Sequence, residues 1–128
     1  MKRAISRGRK RAFLSQRKHC FYCELPIWNT EKERRQLMAR HDLTEDAVKS
    51  LQCTAEHVQA RKDDGTNEEA NIVAACLRCN RARHEGGAGT TPLQHRQRVA
   101  DAMAEGVWHL PEIHRAFATP RQPVTPQR

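Results

Sequence analysis

Cys20-Phe-Tyr-Cys23 and Cys76-Leu-Arg-Cys79 are the two stretches that decide the fold, and 52 residues separate them. A spacing of two residues between cysteines lets a tight turn direct both thiolates at one metal ion. Two such Cys-x-x-Cys pairs complete the tetrahedral sulfur cage that zinc prefers in structural sites. The sequence therefore predicts a structural Zn²⁺ ion held by Cys20, Cys23, Cys76 and Cys79.

Other readings of the cysteines fit less well. Two disulfides would suit a secreted scaffold, but no export signal precedes them and a fifth cysteine, Cys53, is left over. A redox Cys-x-x-Cys motif explains one pair and not two. Iron suits the same sulfur cage and stays open as an alternative metal. We expect Cys53 to be a small buried hydrophobic residue and not a fifth ligand.

Helical signals precede and follow these motifs. Thr30 and Glu33 have the spacing of a capping box, which predicts a helix to about residue 40. Thr44 opens a second helix, with Leu43 and Val48 spaced as a hydrophobic staple. We interpret these helices, over about residues 30–52, as an insertion. Thr91, Pro92 and Gln94 predict a C-terminal helix over about residues 92–105.

The middle of the chain has the composition of two strands and a helix. Strand-like residues run from Cys53 to Gln59 and from Ile72 to Ala75, and a helix follows from Cys76 to about His84. Asp64-Gly65 marks a turn in the long loop between the strands, and Gly86-Gly87 stops the helix. The chain is thus predicted to be a small, zinc-stabilised α+β protein, a β-hairpin backed by a helix and pinned by metal.

Polar residues lie at the ends of this unit. Glu56-His57 falls on the first strand, Asn71 begins the second, and Asn80 directly follows the last zinc cysteine. Over about residues 20–85, this combination resembles the HNH endonuclease family, the zinc-containing branch of the ββα-metal nucleases. The resemblance implies the ββα-metal fold and hydrolysis of DNA phosphodiester bonds, with double-stranded DNA as the partner.

The resemblance also implies roles for the residues at the family positions. His57 would be the general base, Asn71 would orient the catalytic loop, and Glu56 and Asn80 would hold a divalent cation, Mg²⁺ or Mn²⁺ with Ni²⁺ as a further option. Two positions depart from the usual pattern, because Glu56 replaces the commoner Asp and Asn80 replaces the commoner His, as in HNN variants. His84, one helical turn beyond Asn80, could be a further ligand, a phosphate contact or a cation at the helix C-terminus.

The chemistry of these residue types fits phosphodiester hydrolysis. A histidine with a pKa of about 6.5 can accept a proton from water near neutral pH. Carboxylate and amide oxygens are ligands that Mg²⁺ accepts while keeping open positions. Neighbouring strand residues point to opposite faces, so Glu56 and His57 would not serve one pocket. We therefore expect the cation at the edge between hairpin and helix, helped by a local bulge or a backbone carbonyl.

The positive charge is concentrated at the N-terminus. The chain has 23 basic and 15 acidic residues, and residues 1–19 carry eight of the basic ones and no acid. We expect this basic arm to be flexible, partly helical around Ala12–Gln16 with Gly8 interrupting, and to neutralise phosphates. Arg78, Arg81 and Arg83 are expected to add phosphate contacts, and Trp28 and Trp108 to belong to satellite cores.

The predicted organisation is the basic arm, an HNH nuclease domain over residues 20–110, and a basic tail containing proline over residues 111–128. The longest apolar run, Ile72–Leu77, is too short to cross a membrane, and no apolar segment follows the basic start. We expect a cytoplasmic protein with no membrane partner, and leave its oligomeric state open. The alternatives to an enzyme are a non-catalytic zinc module that binds nucleic acid and a protein-interaction domain.

Overall fold

The computed structural model describes residues 2–59, 69–85 and 90–118. Its elements in chain order are helices α1 (Lys2–Ser15), α2 (Glu31–His41) and α3 (Glu45–Ser50), strand β1 (Cys53–His57), a 3₁₀ turn (Glu69–Asn71), strand β2 (Ile72–Cys76), and helices α4 (Leu77–Glu85), α5 (Pro92–Ala104) and α6 (Pro111–Ala116). A two-stranded antiparallel sheet among helices confirms the predicted small α+β class.

Strands β1 and β2 form the predicted hairpin, and α4 follows β2 without a break. Their register runs unbroken from Cys53 opposite Cys76 to His57 opposite Ile72. The expected bulge at Glu56 and His57 is therefore wrong, because every residue of β1 has one partner. β1 also ends at His57, before the predicted boundary at Gln59.

The inserted helices begin where their caps predict. The Thr30 side chain accepts from the Glu33 backbone N–H, and the Glu33 side chain accepts from the Thr30 backbone N–H. These two hydrogen bonds form the capping box of α2. The Thr44 side chain caps α3 by accepting from the Ala47 backbone N–H. Leu43 and Val48 are both buried in one hydrophobic cluster, as the staple predicted. These two helices thus pack around a second core, separate from the main one.

The expectation of a flexible arm is wrong over residues 2–15. Those residues form one continuous helix, α1, and Gly8 does not interrupt it. A Cβ atom at Gly8 would lie 2.7 Å from Ile72 Cδ1, so the glycine lets α1 approach β2 closely. Phe13 is buried in the main core, and the Gln16 amide bonds both the N–H and the carbonyl of Ala74. The N-terminal segment is therefore packed on the hairpin.

The C-terminal helices are partly as predicted. Thr91 and Gln94 form a capping box at the start of α5, where the sequence placed it. Helix α6 was not predicted, and it lies in the segment assigned to the tail. Ile113 of α6 is fully buried in the same cluster as Leu43 and Val48. The tail prolines, the Asp64-Gly65 turn and Gly86-Gly87 fall outside the described residues.

Among the helices of the described residues, none combines the length and the apolar character needed to span a bilayer.

Candidate metal centre and catalytic site

The four predicted zinc cysteines converge in the core. The sulfur atoms of Cys20, Cys23, Cys76 and Cys79 all lie within 4.8 Å of one another, and all four residues are buried. The Cys23 and Cys76 sulfurs are 3.9 Å apart. That distance is near the edge of about 3.8 Å that Zn–S bonds of about 2.3 Å give in a tetrahedron, and far above the disulfide length of about 2.05 Å. The group can hold a metal ion such as zinc.

Hydrogen-bond donors surround these sulfurs. The backbone N–H groups of Tyr22 and Cys76 both donate to the Cys20 sulfur at 3.3 Å. The indole N–H of Trp108 donates to the Cys79 sulfur at 3.2 Å. Donors of this kind stabilise the negative charge of thiolates and orient them toward a metal. Trp108 therefore supports the metal site and belongs to the main core, where the sequence had placed it in a satellite.

Cys53 is separate from the sulfur group. It is buried, as predicted, and burial raises the pKa of its thiol to about 12. Cys53 is not one of the four cysteines whose sulfur atoms lie within 4.8 Å of one another, as expected for a residue that is not a ligand. All five cysteines are free, so the disulfide alternative is wrong for this structure.

Glu56 is the centre of a buried polar network. Its Oε2 atom accepts from the Tyr22 hydroxyl at 3.1 Å and from Arg83 Nη1 at 3.1 Å. Its Oε1 atom lies 3.0 Å from His84 Nε2. Burial, followed by the charge of Glu56, raises the pKa of Tyr22, so the phenol keeps its proton and donates it. The carboxylate thus has one oxygen directed inward and one directed at an exposed imidazole.

Arg83 links this network to the backbone of the first strand. Its side chain is 7% exposed, and it donates to the carbonyls of His57 at 3.0 Å and Val58 at 3.2 Å. The expected phosphate contact at Arg83 is therefore wrong, since its donors are used inside the protein. Arg78 donates to the Trp108 carbonyl and stacks over that ring at 4.4 Å. Of the three arginines, Arg81 is the one whose residue is exposed.

His84 and Asn80 lie one turn apart on α4 and both contact β1. The His84 side chain is 48% exposed. Its Nε2 atom lies at hydrogen-bonding distance, 3.0 Å, from Glu56 Oε1, so both atoms are close enough to contact one cation. Asn80 Nδ2 donates to Thr54 Oγ1 at 2.9 Å, and within the described residues its Oδ1 accepts no hydrogen bond. These donors could hold a divalent cation.

Asn71 closes the open end of the hairpin beside His57. Its amide accepts from the Gln59 N–H at 2.8 Å and donates to the Gln59 carbonyl at 3.0 Å. Its own carbonyl accepts from the Val58 N–H at 2.9 Å. Asn71 therefore fixes the two residues that follow His57, a geometry consistent with an orienting role.

His57 is the last residue of β1, and Glu56 directly precedes it. Glu56 meets α4 through His84, whereas His57 pairs with Ile72, which contacts α1 at Gly8. The His57 carbonyl, a candidate for the expected backbone contribution, accepts from Arg83. The structure thus brings Glu56, His84 and Asn80 to the α4 side, and His57 follows Glu56 at the strand end.

The supporting roles of three residues were not predicted from the sequence: Tyr22, Arg83 and Trp108. Tyr22 lies inside the first Cys-x-x-Cys pair, and Arg83 lies three residues after Asn80 on the same helix. The position of Arg83 was a signal in the sequence, because residues three apart share a helix face with one another. The position of Tyr22 between two metal-site cysteines was a second signal. Trp108 had no local signal, since its indole reaches the four clustered cysteines only through the tertiary fold.

The central segment of the chain matches a known family. Residues 44–86 match the family model described as HNH endonuclease, and this segment includes β1, β2, α4 and the second cysteine pair. No curated protein and no solved structure matches the chain. The match indicates a nuclease or nucleic-acid-binding function. The match over residues 44–86 agrees with the family that the sequence resemblance predicted.

Proposed function

We propose that this protein is a metal-dependent endonuclease that hydrolyses phosphodiester bonds of double-stranded DNA. The observation that carries the proposal is the Glu56–His84 pair, with Oε1 and Nε2 separated by 3.0 Å at the boundary between the buried network and solvent. Both residues lie within the segment that matches the HNH model, and Glu56 directly precedes His57 in sequence. The family position and the ligand geometry therefore point to the same chemistry.

His57 would act as the general base. It accepts a proton from a water molecule, the water oxygen forms a bond to phosphorus, and the bond from phosphorus to the leaving alkoxide breaks. Asn71 would position the base by fixing the backbone of Val58 and Gln59 directly after it. Arg83 would hold the His57 carbonyl from the other side.

Glu56, His84 and the Asn80 carbonyl would hold the catalytic cation. A bound divalent cation would neutralise charge on the phosphate and on the leaving oxygen. An imidazole ligand favours Mn²⁺ and Ni²⁺ over Mg²⁺, which prefers oxygen ligands. Zinc, held separately by the four cysteines, would stabilise the fold and take no part in cleavage.

A second candidate is a zinc module that binds nucleic acid without cutting it. The Arg83–Glu56 ion pair favours this candidate, because the guanidinium compensates the carboxylate charge that would attract a cation. Binding without cleavage would then remain salt-dependent, since it depends on phosphate contacts.

A plasmid-nicking assay separates the two candidates. Zinc-loaded wild type and His57→Ala are incubated with supercoiled DNA and Mg²⁺, Mn²⁺ or Ni²⁺, and His19→Ala serves as a matched control because His19 is an exposed histidine outside the site. We expect nicked or linear DNA from wild type and the control, and none from His57→Ala. Equal cleavage by His57→Ala would exclude its role as base. Salt-dependent binding without cleavage under every cation would support the binding module.

A further inference from the structure

Helix α1 presents a row of basic side chains on its outer face. Arg3, Arg7, Lys10 and Arg11, here called the basic stripe, are all exposed, and their spacing places them on one side of the helix. No acidic residue occurs anywhere in α1. The stripe is therefore a continuous positive surface.

The inner face of α1 fixes the direction in which the stripe points. Gly8 contacts Ile72, Phe13 is buried in the main core, and Gln16 is bonded to Ala74 on β2. Arg9, on the flank of the helix, donates to the Asn29 side chain at 3.0 Å. These contacts hold α1 on the sheet at several points along its length. The positive charges are consequently carried by a helix fixed on the hairpin and not by a flexible arm.

The stripe lies beside the strand end that carries His57. His57 pairs with Ile72 in the register, and Ile72 is the residue that Gly8 contacts. Residues directly opposite in an antiparallel pair have Cβ atoms about 5 Å apart. Because Arg7 directly precedes Gly8, the stripe passes the strand end that carries the candidate base.

We infer that the basic stripe is the docking surface for the DNA phosphate backbone, in a fixed position relative to His57. This inference rests on the proposed function. From Arg3 to Arg11 a helix rises about 12 Å, a length of duplex that carries on the order of seven phosphate charges. The duplex facing the stripe thus has enough phosphate charges to pair with all four cations. Because α1 is fixed on the hairpin, it would also set which phosphodiester faces His57.

Two triple variants of equal charge test the inference. R3Q/R7Q/K10Q removes three charges from the stripe, and K32Q/R35Q/R40Q removes three exposed charges from α2. Both are made in the His57→Ala background, so that binding to a duplex is measured by fluorescence anisotropy at several salt concentrations without cleavage. Circular dichroism and a thermal melt verify that each variant is folded.

Loss of three phosphate contacts should lower the slope of log Kobs against log salt by up to about 2.7, and should weaken binding about tenfold or more at low salt. The α2 triple should change affinity less than about threefold. Equal losses in both triples would show an effect of net charge alone and would overturn the inference. An unchanged slope in the stripe triple would also overturn it.

Failure of this inference is distinguishable from failure of the proposed function. If wild type cleaves DNA and the stripe triple binds and cleaves equally well with His57 restored, only the docking surface is wrong. If binding depends on the stripe but no cation supports cleavage by wild type, only the hydrolytic function is wrong.

Discussion

Arg83 Nη1 lies 3.1 Å from Glu56 Oε2, and the two side chains are 7% and 2% exposed. This buried ion pair changes the interpretation of both residues. Arg83 is not a phosphate contact, and Glu56 reaches the candidate cation site with only one of its oxygens. Because Arg83 also holds the carbonyls of His57 and Val58, the pair connects the α4 side of the hairpin to the strand end that carries the candidate base.

Replacing Arg83 by Met should destabilise the protein by about 3–5 kcal/mol, because the Glu56 charge would remain buried without a partner. The free energy of unfolding is measured by urea denaturation of zinc-loaded protein. The matched control is Arg81→Met, an exposed position on the same helix, which should stay within about 0.5 kcal/mol of wild type. The double variant E56Q/R83M should recover part of the loss. A loss below 1 kcal/mol in R83M would contradict a structural role for the pair.

Replacing His84 by Ala should weaken Ni²⁺ binding at the candidate catalytic site more than Mg²⁺ binding. The reason is that imidazole is a preferred ligand for Ni²⁺, whereas Mg²⁺ depends mainly on oxygen. Isothermal titration of zinc-loaded protein measures both affinities, and we expect Ni²⁺ to lose about tenfold or more. His19→Ala, an exposed histidine outside the site, is the control. Unchanged Ni²⁺ affinity in H84A would remove His84 from the ligand set.

The elements whose signals are local could be predicted from the sequence. Thr30 and Glu33 cap their own helix, and the Cys-x-x-Cys pairs each form a turn whose geometry follows from their spacing. The hairpin followed by α4 was also predictable, because the strand composition, the family positions and the second cysteine pair agree there. The secondary structure of a segment can be predicted when several local signals agree.

What the sequence did not reveal depends on contacts between distant segments. Gly8 has low intrinsic helix propensity, yet it lies inside a helix because it packs against Ile72, which follows much later in the chain. Arginine is usually a surface residue, and Arg83 is buried beside Glu56 only because α4 packs on β1. The absence of a bulge in β1 was also not predictable from one strand, because the register depends on the pairing of both strands.

Replacing Trp108 by Phe should speed the loss of zinc without unfolding the loaded protein. The ring would still fill the core, but the N–H that donates to the Cys79 sulfur at 3.2 Å would be gone. Loss of a hydrogen bond to a metal ligand typically lowers metal affinity by about 10–100-fold. Zinc transfer to a chromophoric chelator measures the effect. Trp28→Phe, which loses a bond to the Val48 carbonyl instead, should leave zinc affinity unchanged. Equal affinity in both variants would exclude the role of Trp108.

Gly8 and Ile72 should be energetically coupled if α1 packs on the hairpin as described. Gly8→Ala gains up to about 1 kcal/mol in helix propensity, but its methyl group would meet Ile72 Cδ1 at 2.7 Å. Ile72→Val removes that carbon at about 0.5–1.5 kcal/mol. The double variant should therefore be more stable than the sum of the single changes by about 0.5–1 kcal/mol in urea denaturation. Gly106→Ala is the control, because its positive φ makes it unfavourable while nothing lies within 4 Å of its Cβ position, so its effect should add independently to that of Ile72→Val. Additivity between Gly8→Ala and Ile72→Val would mean that α1 is not held against β2, and the basic stripe would then lose its fixed position beside His57.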